Sequence, residues 1–192
     1  MAILMMLELP GVTTEDYDRV QEIMFAKDPE QPEGLISHVA GPTDDGVLII
    51  DVWESEDDLN RFVHERVGPA MQQVGAPQAQ PRVLPIHAHI PHGKGTDAGV
   101  ILVIESDGFR PADYDAVTAK MDAHAGDGSN HPAVSHAAAV TDGGMVFVDV
   151  WDSPESFGRF AEQQLGPAEA GADLPAVEPR FVPVHNRMVG ES

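Results

Sequence analysis

Apolar residues in this chain fall into short runs and helical stripes that follow one another in a fixed order. Residues 3–7 are wholly apolar, as expected of a strand covered on both faces. Thr13-x-x-Asp16 then reads as a helix start, with Tyr17, Val20, Ile23 and Met24 on one helical stripe. The polar stretch 28–34 is a loop. Residues 35–40 and 47–53 are strands joined by Pro42-Thr43-Asp44-Asp45-Gly46, whose residue types favour a hairpin turn. Ser55-x-x-Asp58 opens a second helix with Leu59, Phe62, Val63 and Val67 on its apolar stripe, and Gly68-Pro69 is expected to end it. A short helical piece follows around 70–74, and 82–87 is a fourth strand. The order β-α-β-β-α-β is that of the ferredoxin-like split βαβ unit, an antiparallel sheet with two helices on one face.

The pattern then repeats. Ile50-Asp51-Val52-Trp53-Glu54-Ser55 returns as Val148-Asp149-Val150-Trp151-Asp152-Ser153, and Gly68-Pro69-Ala70 returns as Gly166-Pro167-Ala168. Ser37-His38 returns as Ser135-His136, and Arg82, Pro85 and His87 return as Arg180, Pro183 and His185. The offset stays at 98 (38 to 136, 87 to 185). Such constancy is the mark of an internal duplication, and the period is that of a small domain, not of a solenoid. The chain therefore divides into a first repeat over 1–90, a linker over 91–98 and a second repeat over 99–189. Helices cover one sheet face, yet the third strand is apolar on both: Val47, Ile49 and Trp53 alternate with Leu48, Ile50 and Val52. The expected architecture is α+β, two tandem ferredoxin-like repeats packed through their open faces as an intramolecular α/β barrel.

Composition narrows the partners. The net charge of −21 is spread evenly, with 17 acidic and 6 basic residues in 1–97 and 15 and 5 in 98–192. An acidic surface all round repels phosphate backbones and anionic membranes, so neither nucleic acid nor membrane is an expected partner. No apolar run approaches the length of a membrane span, and the opening apolar stretch lacks a basic n-region, so a cytoplasmic location is expected. Cysteine is absent, which removes disulfides, thiolate metal sites and a cysteine nucleophile.

The Val52-Trp53-Glu54-Ser55 step from third strand into second helix, in a domain of this length and order, resembles the dimeric α/β-barrel superfamily. Within it the chain is most similar to the antibiotic-biosynthesis-monooxygenase-like domains. There two chains usually pair; here both halves are fused, which implies a monomer with an internal pseudo-dimer or a loose homodimer. The superfamily includes cofactor-free oxygenases, haem-degrading enzymes, cyclases and proteins of no known activity. The haem-degrading pattern places an aromatic residue and then an axial histidine beyond the Trp-Glu-Ser step. Those places fall on Phe62 and near Gln72, and on Phe160 and near Ala170, so the axial ligand is missing in both copies. No Gly-rich phosphate loop and no G-x-S-x-G step is present. No cofactor and no tightly held metal is expected.

Polar residues retained in both copies are the candidates for chemistry. His38, His136, His87 and His185 each sit within an apolar strand, where a neutral imidazole facing a cavity is suited to take a proton from a phenol or an acidic C–H. The alternative is a half-buried histidine bonded to backbone or carboxylate. In such a sheet the second and fourth strands lie on opposite sides of the centre, which leaves contact between the two histidines of one copy open. Asp51 and Asp149 share a strand face with Trp53 and Trp151. A buried aspartate needs a partner; the pair either orients a histidine base and walls a planar substrate, or serves as strand end and core. Glu8/Glu105 and Arg82/Arg180 read as a surface pair. His87, His89 and His92 make a histidine-rich run of which only His87 is retained, which argues against a metal site. Three readings stand. One is a small-molecule site acting as a cofactor-independent monooxygenase on an aromatic or polyketide-like substrate. The others are a non-catalytic binding or structural protein, and a cyclase or isomerase using the same base.

Overall fold

The structure is a computed structural model describing residues 1–26, 28–75, 79–91, 97–125, 132–172 and 174–190; the side chains of 122–125 are outside the description. His92 and most of the expected linker lie outside the described residues. Internal contacts divide the chain into two compact units, Met1–Pro85 with Val184–Ser192, and Ile86–Pro183.

In the first unit, β1 (Ile3–Pro10), α1 (Thr14–Phe25), β2 (Leu35–Pro42), β3 (Gly46–Trp53), α2 (Glu56–Phe62) and α3 (Gly68–Val74) precede the first half of β4 (Arg82–Ile90). The second unit repeats this order with β5 (Val100–Asp107), α4 (Pro111–Ala125), β6 (Ser135–Val140), β7 (Gly144–Trp151), α5 (Pro154–Phe160), α6 (Gly166–Glu169) and β8 (Arg180–Pro183). The last strand, β9 (Asn186–Val189), pairs with β2 and completes the first unit's sheet. That sheet runs β4-β1-β3-β2-β9, and the second unit's runs β8-β5-β7-β6-β4, all antiparallel. Mixed α+β architecture on antiparallel sheets is what the periodicity predicts.

Local chemistry accounts for the boundaries. Thr13 and Asp16 form a reciprocal capping box at α1, and the Ser55 hydroxyl accepts from the Asp58 N–H at α2. Gly46 opens β3 where a Cβ would lie 2.0 Å from the Leu9 carbonyl oxygen, and Gly144 stands in the same relation to Ser106. Only glycine fits so close a backbone approach. One boundary differs from the sequence reading. Gly68-Pro69 does not end the helix; a widened π-helical turn, Val63–Val67, carries the chain into α3, where Pro69 sits in the first positions and needs no N–H. Gly75, left-handed at φ 65°, supplies the actual stop. The second unit repeats the device with Ala161–Leu165 and Gly166-Pro167.

The helix-side core of the first unit gathers Ile3, Met5, Leu35, Trp53 and Leu59 in one cluster, and Leu9, Val12, Tyr17, Ala40 and Val47 in another. The second unit has counterparts around Leu102, Ile104, Trp151 and Phe160, and around Phe109, Val117, Ala138 and Met145. Among the described residues, no helix is long and apolar enough to cross a membrane.

Candidate functional site

Strand register builds the site. His38 lies directly opposite Asp51, and His136 opposite Asp149. Residues so placed on neighbouring strands project from the same face with their Cβ atoms about 5 Å apart. In both units the histidine Nδ1 is 2.6 Å from the aspartate Oδ1, and all four residues are buried. A carboxylate can only accept, so Nδ1 carries the proton and Nε2 presents a lone pair. That lone pair meets a tyrosine hydroxyl from the first helix of the unit, Tyr17 at 2.6 Å and Tyr114 at 2.9 Å. Two residues on from each aspartate, a tryptophan Nε1 donates to the other carboxylate oxygen, at 3.4 Å for Trp53 and 3.2 Å for Trp151. The buried aspartate thus receives the partners that its burial demands.

The two remaining histidines arrive from an unexpected side. In the first unit Tyr17 stacks on His38 and takes the edge of His185, not of His87; the rings are 6.1 and 5.8 Å apart. In the second unit Tyr114 stands between His136 and His87, at 5.8 and 5.5 Å. The histidine beyond β8 reaches the first unit because the chain leaves the second sheet there and pairs with β2. His185 pairs with Asp18 and His87 with Asp115, both at 2.7 Å and partly exposed.

The quartets match, but their surroundings do not. Tyr17 is almost fully buried, and its hydroxyl accepts from Gln21 Nε2 at 2.5 Å and from Asn186 Nδ2 at 3.0 Å while donating to His38. One donor and two acceptor positions are all a hydroxyl has. Burial pushes this phenol well above its ordinary range, against the hydrogen bonds from Asn186 and Gln21. In the second unit Thr118 and Ala88 stand where Gln21 and Asn186 stand in the first. The Thr118 hydroxyl turns back to the carbonyls of Tyr114 and Asp115. A cavity of about 570 Å³ opens there, lined by Tyr114, His136 and Asp149 together with Phe109, Phe147, Phe157, Phe160, Ile104 and Ser106. This is within the size range of small-molecule sites, and its walls are mainly apolar with a few converging polar groups. Glu169 also reaches the cavity, and burial raises its carboxyl.

Of the candidates named from sequence, His136 and Asp149 reach the cavity. His38 and Asp51 form the same pair beside Tyr17, which is buried with its hydroxyl fully hydrogen-bonded. His87, Trp53 and Trp151 do not line the cavity. Both indoles are fully buried, Trp151 against Phe157 and Phe160, because each is turned inward to hold its aspartate. The ring-bearing walls are Phe147, Phe157 and Phe160. Sequence reasoning missed Tyr17 and Tyr114, which fit an apolar helical stripe. The available signal was that the chain's two tyrosines recur within Asp16-Tyr17-Asp18 and Asp113-Tyr114-Asp115. Among the described residues no group of three His, Asp or Glu side chains is placed to hold a metal ion.

No known family's sequence profile matches the chain, and no curated protein matches it significantly. Solved structures do. A candidate monooxygenase from Lactobacillus acidophilus NCFM is similar with a TM-score of 0.72 at 13% identity, over 98% of this chain and 96% of that one. A second candidate monooxygenase, from Fusobacterium nucleatum subsp. nucleatum ATCC 25586, gives 0.67 at 7% identity, over 98% and 93%. An anthrone oxidase-like protein gives 0.50 at 15%, over 98% and 92%. At these identities the likeness shows a shared α+β fold.

Proposed function

We propose that the second unit binds a flat aromatic or polyketide-like molecule and oxygenates it without a cofactor. In this reading, the Tyr114–His136–Asp149 relay acts as the base. The observation that carries it is the opening of the cavity onto Tyr114 and His136, where the first unit places Gln21 and Asn186. The substrate's acidic O–H or C–H would give its proton to the Tyr114 oxygen as the phenol proton passes to His136 Nε2. Asp149 then stabilises the imidazolium through Nδ1–H. The resulting carbanion passes one electron to dioxygen, the radical pair combines to a peroxide anion that takes the proton back from the relay, and loss of water from this hydroperoxide leaves a carbonyl. The balance is R₂CH₂ + O₂ → R₂C=O + H₂O. The monooxygenase-like folds of its neighbours support this reading, as does the apolar aromatic wall.

A second reading, a network that serves as structure alone, has its own support: the first unit keeps the same quartet with Tyr17 buried and its hydroxyl fully hydrogen-bonded. Oxygen uptake with a panel of phenolic anthrones separates the two. One O₂ consumed per carbonyl formed, lost in Tyr114→Phe and His136→Ala, supports the oxygenase. Binding without uptake makes the protein a carrier, and conversion of the substrate under anaerobic conditions makes it a cyclase or isomerase. We further propose the tandem-repeat barrel, with linker over 91–98, as the arrangement of the chain. A monomer by light scattering is the expected result.

A further inference from the structure

Ser106 is 3% exposed, lines the cavity, and its hydroxyl has no hydrogen-bond partner. The first unit has Leu9 at the corresponding place, packed in a core cluster with Tyr17. A buried hydroxyl without a partner is unfavourable relative to such a leucine. Strand register fixes where it lies. Asp149 pairs with Leu102, and Ser106 is four residues further along β5, about 13 Å at the rise of a strand. His136 is two strands from β5, about 10 Å across the sheet. Between them the floor is the Ile104–Phe147 pair. The His136–Asp149 pair and Ser106 therefore lie apart along one wall of the cavity, with Tyr114 stacked on Phe147 between them.

Building on the proposed function, we infer that Ser106 is a specificity-determining anchor. The ligand is an elongated planar molecule with an oxygen at each end, one facing Tyr114 and the other hydrogen-bonded to the Ser106 hydroxyl. A ligand with a single polar end leaves that hydroxyl unpartnered and binds more weakly.

Anaerobic titration calorimetry on the full chain tests this, using 2,6-dihydroxynaphthalene and 4,4′-dihydroxybiphenyl against the mono-ols 2-naphthol and 4-phenylphenol. Wild type is expected to favour at least one diol over its mono-ol by about five-fold or more, the scale of one hydrogen bond. Ser106→Ala is expected to abolish that preference while leaving mono-ol affinity unchanged. It should also melt no lower than wild type, since it removes an unpartnered group. Ser106→Leu, which copies the first unit, is expected to block all four probes. Equal affinity for diols and mono-ols in wild type, or a diol preference that survives in Ser106→Ala, overturns the anchor and leaves the base relay standing. Failure of every probe to bind wild type overturns the ligand site itself, and the anchor with it.

Discussion

His136 Nδ1 lies 2.6 Å from Asp149 Oδ1, and the same 2.6 Å separates His38 from Asp51 in the other unit. The pair follows from register alone, because in each sheet the histidine of the second strand faces the aspartate of the third. What differs is the access to the tyrosine on the other side of the ring. Gln21 and Asn186 hydrogen-bond to the Tyr17 hydroxyl, and Tyr114 lines the second unit's cavity. The same network thus stands in two environments, one with the tyrosine buried and the other beside a cavity.

Removing the two histidines should therefore have different consequences. His136→Ala is expected to lower turnover by about a hundred-fold or more, the scale of a lost general base. His38→Ala should leave turnover within about two-fold of wild type. It strands a buried carboxylate and phenol, which costs about 2–4 kcal/mol, or a melting-point drop on the order of 5–12 °C for a chain of this size. Oxygen uptake and thermal melts on both variants check this. Equal loss of activity would show that the first unit takes part in the chemistry.

The surroundings of the buried Tyr17 should also be ones that can be opened. Leu9→Ser, Gln21→Thr and Asn186→Ala together copy the second unit's lining around Tyr17. The triple variant is expected to bind two equivalents of a ligand of which wild type binds one. Calorimetric stoichiometry reads this directly, and a value that stays at one in a folded variant removes the steric account of the asymmetry.

Similarity between the copies made much of this legible from sequence. The elements, both capping serines, and the His–Asp–Trp candidates stood out because they return at a constant offset. Tyr17 and Tyr114 escaped because a tyrosine on an apolar stripe looks like core until its hydroxyl is seen to have a partner. The helix end at Gly68-Pro69 was misread because proline stops a helix only where its missing N–H is needed, and the π turn removes that need. The copy that bears the cavity could not be singled out by retention at all, since it is set apart by the differences Gln21/Thr118, Asn186/Ala88 and Leu9/Ser106. The placement of His185 beside Tyr17 is a matter of long-range strand pairing that local pattern does not encode.

The Trp151 indole holds Asp149 Oδ2 at 3.2 Å and does not line the cavity, so the role proposed for it is to position the relay. Trp151→Phe keeps most of the core ring and removes the donor. We expect kcat to fall by about ten-fold as the relay loosens, with KM changed by less than about two-fold. A rise in KM with kcat intact would mean instead that the indole shapes the ligand site.

Tyr17 makes stability sensitive to alkali, and the sign follows from its environment. Burial raises its phenol above the ordinary value of about 10 in the folded state. Below that pH the folded and unfolded chains both hold the proton, so the group contributes no slope. Above it the unfolded tyrosine ionises while the folded one does not, and the unfolded state binds fewer protons. Stability therefore falls as pH rises, by up to about 1.4 kcal/mol per pH unit from this group, until the folded phenol also ionises. Urea unfolding between about pH 9 and 11 on wild type and Tyr17→Phe isolates the contribution, because lysines and other groups titrate alike in both. The wild-type curve is expected to descend more steeply than the variant's over the upper half of that range. Parallel curves would mean that Tyr17 is not held protonated by the fold.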